Sequence, residues 1–333
     1  MRRAGAIEVI VWIVVGATVR LMRLLVITAR YPTTDRPSAG AFVRNRLIGV
    51  AARVIAPARY DQPGWRRYLA MTWSSLAARG HFDGVEGHFV LPSGAVALLA
   101  ARIRGLPLVI YAHGSDVREM ADRNRPYRWL ARRVVRGANV VVTNSRDTAR
   151  HVALLGAEAE VVPPGVDLSR FAPTPRPAER RVLYVGGSAP TKGAEVARQL
   201  ADTLAGPGLR EVRPDEMPAL ISAHDVVLVP SSAEGYGLSA AEAIASGRWV
   251  VAGAVGGLTE IVDDGVNGTL VSDGDFAGAL ASVPDYDPWA VAASAARFDQ
   301  VIHRQRMAEI WERVLGRDQA SALETPDGPA NRG

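Results

Sequence analysis

The stretch from Asp225 to Gly247 leaves this chain little choice of local structure. Asp225-Val226-Val227-Leu228-Val229-Pro230 is a short apolar run closed by proline, the pattern of a buried parallel strand ending at a loop. The loop carries Glu234, and Gly235 and Gly237 let its backbone turn tightly and approach a ligand. From Ser239 to Ser246 the sequence is strongly helical, and Gly247 stops it. A strand end, a glycine loop and a helix start therefore converge, where unpaired N–H groups and the positive end of the helix dipole favour an anion such as a diphosphate. Five helical residues separate Gly237 from Glu242, a rise of roughly 7–8 Å. That is the scale of a diphosphate plus a ribose, so Glu234 and Glu242 are candidates for the two ends of a nucleotide sugar. Tyr236, Gly237, Leu238 and Ser239 are expected to line the space between them.

A chain of 333 residues with 48% hydrophobic content is long enough for two domains. From Leu24 strand and helix patterns alternate, which implies parallel sheets covered on both faces, an α/β architecture. Strands are expected at 24–28, 85–88, 108–112, 140–143 and 160–162, with helices near 42–56, 65–79, 93–104, 127–136 and 146–155. The proline-rich segment after Phe171 reads as a linker, dividing a domain over 22–172 from one over 173–298. The second domain opens with strand 181–185, has a helix over 194–205 and a short strand at 209–213, and continues after the Glu loop with strands 249–252 and 269–271. A last helix over 299–315 is expected near the junction, followed by a polar, disordered tail over 316–333. Residues 1–21 have too short an apolar core for a comfortable membrane span; they read as a signal-peptide apolar region, an interfacial anchor, or translated sequence upstream of Met22.

Two further segments carry candidate chemistry. His113-Gly114-Ser115-Asp116 follows the strongest strand of the first half, at the carboxyl end where open α/β sheets bind ligands. Gly186-Gly187-Ser188-Ala189-Pro190-Thr191-Lys192-Gly193 follows a strand and precedes a helix, a phosphate cradle with Lys192 as its point charge. It is not a triphosphatase P-loop, because Thr191 stands where that motif requires glycine. The six histidines show no metal-ligand spacing, and Asp273-Gly274-Asp275 reads as a helix cap rather than a metal motif.

Glu234 and Glu242, with their flanks, resemble the E-x7-E signature of the retaining glycosyltransferases of family four, which have the GT-B fold of two Rossmann-like domains facing across a cleft. His113-Gly114-Ser115-Asp116 is similar to that family's HG-x-D element, Pro164-Gly165-Val166-Asp167 to its junction segment, and Val255-Gly256-Gly257 with Glu260-Ile261-Val262 to its V-G-G-x-x-E-I-V loop. The resemblance implies metal-independent transfer of a hexosyl group from a UDP- or GDP-sugar to an acceptor hydroxyl on a glycan or lipid-linked molecule, without a cofactor. It implies that Glu234 and His113 hold the donor sugar, Glu242 the ribose, and Lys192 the diphosphate, with Gly186, Gly187 and Ser188 beside it. Gly40 falls in the family's N-terminal glycine loop. Gly187 departs from the pattern, since the family commonly has a clamping arginine there. A weakly active nucleotide-sugar-binding subunit, or an epimerase or hydrolase on the same fold, stays open. A dehydrogenase does not fit, since no G-x-G-x-x-G follows the first strand.

Charge is unevenly distributed: +13 up to residue 172 and −8 beyond it. Basic and aromatic residues coincide in 63–69 and 123–133, a composition suited to an anionic membrane leaflet, whereas no nucleic-acid recognition signature is present. The absence of cysteine suits a cytoplasmic protein, and the basic lobe suits the inner membrane face.

Overall fold

The computed structural model describes residues 7–9, 22–33, 39–47, 50–57 and 64–316. The rest of the 1–21 extension, residues 34–38 of the first loop, Pro63 and the 317–333 tail lie outside the described residues. Two sheets are present. The first contains β1 (Ile7–Val9), β2 (Arg23–Thr28), β3 (Ala51–Ile55), β4 (Gly84–His88), β5 (Leu108–Ala112), β6 (Val140–Thr143) and β7 (Glu160–Val161), in the order β1-β3-β2-β4-β5-β6-β7. The second contains β8 (Val182–Val185), β9 (Thr203–Ala205), β10 (Val226–Val229), β11 (Trp249–Gly253) and β12 (Gly268–Val271), in the order β12-β11-β10-β8-β9. Every pairing is parallel except that of β1 with β3, an antiparallel edge.

Alternation along β2 shows how the first sheet is covered. Leu25 and Ile27 face one core with Met71, Ala97 and Val134, while Leu24 and Val26 face a second core. That second core is closed by Met307, Ile310 and Trp311, three buried residues at helical spacing on the last helix, Gln300–Val314. The C-terminal helix thus returns to the N-terminal lobe. Val166 and Phe171 already belong to the core of the second sheet.

Two expected elements are corrected. The helix expected near 42–56 is only Ala41–Arg46, and Ala51–Ile55 is a strand. Val54 and Ile55 are β-branched, and full parallel pairing with β2 outweighs the helical pattern. The strand expected at 209–213 is displaced to Thr203–Ala205, the preceding helix ending at Leu200, because Gly206-Pro207-Gly208 breaks the chain just after it. Only a single bridge, Ala205 with Arg210, remains in the expected place. Asp273-Gly274-Asp275 caps the helix Phe276–Ala281, Asp275 Oδ1 accepting from Gly278 N at 2.8 Å.

Candidate active site between the lobes

In each sheet the strand order reverses once, and an open α/β sheet offers its ligand crevice at that reversal. In the first sheet the point lies between β2 and β4, flanked by loops carrying Arg30, Gly40 and Phe89. In the second it lies between β8 and β10, flanked by the loops 186–193 and 230–237. The lobes touch where Gly114 meets Gly235; a Cβ on Gly114 would come within 2.6 Å of the Gly235 Cα. Beside this contact an open cavity of about 790 Å³ runs from Arg30, Gly40, Phe89 and Asp116 on one lobe to Pro207 and Gly208 on the other.

On the C-terminal side Lys192 ends a one-turn helix, Pro190–Lys192, whose Thr191 carbonyl accepts from Ser232 N at 3.0 Å, fixing the two loops together. Lys192 Nζ lies 2.6 Å from Glu234 Oε2, and Gly235 N donates to Glu234 Oε1 at 3.2 Å. The Tyr184 hydroxyl donates to the carbonyls of Gly187 at 2.8 Å and Lys192 at 3.2 Å; burial, with Glu234 nearby, pushes its pKa up to about 12. Gly186 packs against that same ring, and Ser188 N donates to Pro207 O at 3.0 Å. Around Gly187 there is space: a Cβ would meet nothing nearer than 3.7 Å. A side chain would fit there, so the missing arginine is a chemical departure and not a steric one.

Gly237, at φ +102°, starts the helix Leu238–Ala245. Tyr236 is buried with its hydroxyl unpartnered among the described residues, and Ser239 is half-buried on the first turn. Leu238 and Glu242 open onto a second, smaller cavity together with Asp167, Arg170, Gln300 and His303. Burial pushes the Glu242 carboxyl up to about 8, with only Arg170 pulling it back. Glu234 is therefore turned to Lys192, while Glu242 faces the junction segment.

On the N-terminal side the His113 ring stacks on Tyr111 (centroids 4.8 Å apart) and is flanked by Phe42 at 4.7 Å and Phe89 at 4.6 Å. Phe89 holds a left-handed backbone, φ 69°, the kind of costly conformation that collects at ligand clamps. Burial first, and then His88 and Arg30, push the His113 pKa well below the ordinary histidine value, so the ring is neutral. Asp116 is structural: its carboxylate accepts from His113 N at 2.9 Å and Val90 N at 2.7 Å.

Several partners escaped the sequence reading. Arg118 donates to Asp147 Oδ2 and to the Glu234 carbonyl, both at 2.8 Å, and Glu260 accepts from the N–H groups of Arg146 and Asp147 across the cleft. No motif signals Arg118 or Asp147; Glu260 stands in the V-G-G-x-x-E-I-V loop, but the sequence does not show its partners. Behind His113 stand Glu86 and His88, and these had a signal: two titratable residues at period two in a strand that is buried throughout. Among the described residues no group of three or more His, Asp or Glu side chains is placed to hold a metal ion.

Two doubly wound lobes with their reversal points opening onto a shared cleft define a GT-B glycosyltransferase architecture. The family description Glycosyltransferase Family 4 matches residues 8–170, and Glycosyl transferases group 1 matches residues 167–283. The chain belongs to the family 4 glycosyltransferases. It is similar to the D-inositol 3-phosphate glycosyltransferase of Geodermatophilus obscurus, with 34% identity over 71% of this chain and 65% of that protein. The protein of the same description from Mycobacterium bovis is 33% identical over 77% of this chain and 64% of its own length. The chain thus spans slightly less than two thirds of these curated relatives. Among solved structures it resembles Anabaena HepE in complex with UDP and glucose (TM-score 0.67, 20% identity, 87% of this chain and 99% of that one). Sucrose-phosphate synthase of Thermosynechococcus elongatus is similar too (TM-score 0.67, 18% identity, 90% and 100%).

Proposed function

We propose that the chain is a retaining hexosyltransferase that takes its sugar from a UDP- or GDP-sugar without a metal or other cofactor. The observation that carries this reading is the Lys192–Glu234 pair at one reversal point, with His113 packed on Phe42 and Phe89 beside the other. When donor enters, Lys192 exchanges its carboxylate partner for the diphosphate and stabilises the leaving charge electrostatically. Glu234 is thereby released toward the sugar hydroxyls, and attack comes from the face the diphosphate leaves. Glu242 holds the ribose.

The acceptor is a phosphorylated polyol, free or lipid-linked. Arg30, Arg67 and Arg123 line the N-terminal wall of the 790 Å³ cavity with Tyr68 and Tyr127, a basic, aromatic setting that suits a phosphate on a ring-shaped acceptor. The relatives named for D-inositol 3-phosphate support the same class. The test incubates the protein with UDP- and GDP-hexoses and with inositol phosphates, and reads glycosylated product together with nucleoside diphosphate. Product with retained anomeric configuration, insensitive to EDTA, is expected. Nucleotide binding without any transfer would replace this reading by a donor-binding subunit, which the bare Gly187 would then explain.

The same lobe docks on an anionic membrane leaflet from the cytoplasmic side. Trp65, Leu69 and Trp73, at intervals of four on the helix Gly64–Ala77, are 62%, 62% and 75% exposed. That helix packs on Ser93–Arg104, which packs on Arg125–Gly137, so the exposed Ile103 and Trp129 lie on the same side of the sheet. Exposed Arg66 and Arg133 lie over the Trp65 and Trp129 rings, and Arg125 and Arg132 are exposed on the same helix as Trp129. Apolar rings set among guanidinium groups fit the headgroup region of anionic lipid. Among the described residues no helix is long and apolar enough to cross a membrane. Sedimentation with phosphatidylglycerol-containing vesicles should exceed that with phosphatidylcholine alone, and the W65A/W73A double variant should lower binding about tenfold or more. Equal binding to both vesicle types would remove the docking surface.

A further inference from the structure

Glu86 and His88 lie on β4, two positions apart and so on one face of a strand in which every residue is buried. The proposed transfer uses neither directly. Glu86 Oε2 accepts from Arg46 Nη2 at 2.7 Å and from Trp311 Nε1 at 3.0 Å, and Oε1 lies 3.0 Å from His88 Nε2. Burial, the largest influence on this carboxyl, pushes its pKa up, but Arg46, His88 and Trp311 together hold it at about 2. The carboxylate is a fixed charge. On the far side of the same imidazole, His88 Nδ1 lies 3.0 Å from His113 Nε2, with the two rings stacked at 17°. A line of contacts thus runs from the floor of the N-terminal lobe, where the last helix contributes Trp311, to the histidine beside the cleft.

The charges along this line determine where the protons sit. Arg46 already balances Glu86, so the buried carboxylate beside His88 Nε2 calls for a hydrogen on that nitrogen and not for a second cation. With its hydrogen on Nε2, 3.0 Å from the carboxylate oxygen, His88 leaves Nδ1 as an acceptor. The nitrogen facing that acceptor, His113 Nε2, must then carry a hydrogen. Because His113 is itself neutral, its Nδ1 is left with the lone pair.

We propose that Glu86 and His88 are positioning residues that hold His113 as the Nε2–H tautomer, so that its ring presents Nδ1 as a hydrogen-bond acceptor for a hydroxyl of the donor sugar. This rests on the reading of His113 as a sugar contact. The role resembles that of a buried carboxylate which fixes an imidazole tautomer without touching the reacting atoms. An acceptor nitrogen discriminates as well as binds. It welcomes a sugar bearing a hydroxyl at the contacting position and leaves a deoxy analogue without that bond.

Long-range ¹H–¹⁵N spectra of the full-length, ¹⁵N-labelled protein test this, with the His113 signals assigned by their loss in H113N. Wild type is expected to show Nε2–H for both His88 and His113. In E86Q an amide replaces the fixed acceptor, and His113 is expected to become a mixture of tautomers, with kcat lowered about 10–100-fold and donor KM within about twofold. A group that merely filled space would leave the tautomer unchanged in E86Q. An Nδ1–H tautomer at His113 in wild type overturns the proposal, and that spectrum needs no variant to fold. The measurement is made on the resting protein, so it separates from the transfer reading: Nε2–H with no turnover on any donor removes the function and leaves the tautomer assignment standing.

Discussion

Replacing Lys192 by alanine is expected to lower kcat by about 10²–10³ while donor KM changes much less. Three observations set that size. Lys192 is the only lysine among the 39 basic residues of the chain, and it stands on a loop tied to its neighbour by the Thr191–Ser232 hydrogen bond. The other position from which a family 4 enzyme commonly clamps the diphosphate is Gly187, where there is open space and no charge. Loss of Lys192 is therefore not buffered by a second cation on the same loop. In the resting protein its ammonium is paired with Glu234 at 2.6 Å, so binding the donor only exchanges one anionic partner for another, and the net gain grows as charge develops on the leaving diphosphate. An interaction strongest in the transition state is lost from kcat rather than from KM. Steady-state kinetics of K192A with product detection decide this, and K192R should recover part of the rate by restoring charge on a different geometry. A loss below about threefold would mean that backbone N–H groups at the helix Leu238–Ala245 carry the diphosphate alone.

The fold and the centre of this site were legible in the sequence for a physical reason. Buried parallel strands such as Leu108–Ala112 and Val226–Val229 are continuous apolar runs, and the loops after them carry glycines at turns that need positive φ, as at Gly237 and Gly193. What failed was short and set by tertiary pairing. Ala51–Ile55 reads as the end of a helix until β2 offers it a ladder, and Thr203–Ala205 is an edge strand of three residues. The interlobe ties were illegible for a different reason. Arg118, Arg146 and Asp147 are ordinary charged residues of short helices, and only the closure of the two lobes brings Arg118 to the Glu234 carbonyl and the N–H groups of Arg146 and Asp147 to Glu260. Glu86 and His88 lie between these cases. Their burial was implied by their strand, and a buried carboxylate must have partners, yet Arg46 and Trp311 come from 40 residues before and 225 residues after it.

Glu242→Gln is expected to stabilise the protein increasingly as pH rises from about 4.5 to about 8, and by a constant amount above that. The Glu242 carboxyl goes from an ordinary 4.5 to about 8 on folding, because burial penalises its charge and only Arg170 opposes this. Between those values the folded state holds a proton that the unfolded chain has released, so the wild type loses stability across the window as pH rises. Glutamine has no charge to desolvate and escapes this loss. Allowing for the partial exposure of Glu242, the difference should reach on the order of 2–4 kcal/mol above pH 8 and vanish near pH 4. Urea unfolding of both proteins at pH 4.5, 6.5 and 8.5 measures it; parallel curves would show that the carboxyl is ionised and solvated in the resting protein. The same group explains why the stabilised variant should be the poorer enzyme. A ribose diol donating two hydrogen bonds favours the carboxylate over the acid, so nucleotide binding expels the proton, and wild-type affinity should rise with pH toward about 8. Glu242→Gln offers one carbonyl and no charge, so its affinity should be weaker and flat with pH. In the proposed role, a buried acid that costs stability in the empty protein is thereby converted, on donor binding, into a charged acceptor for the ribose.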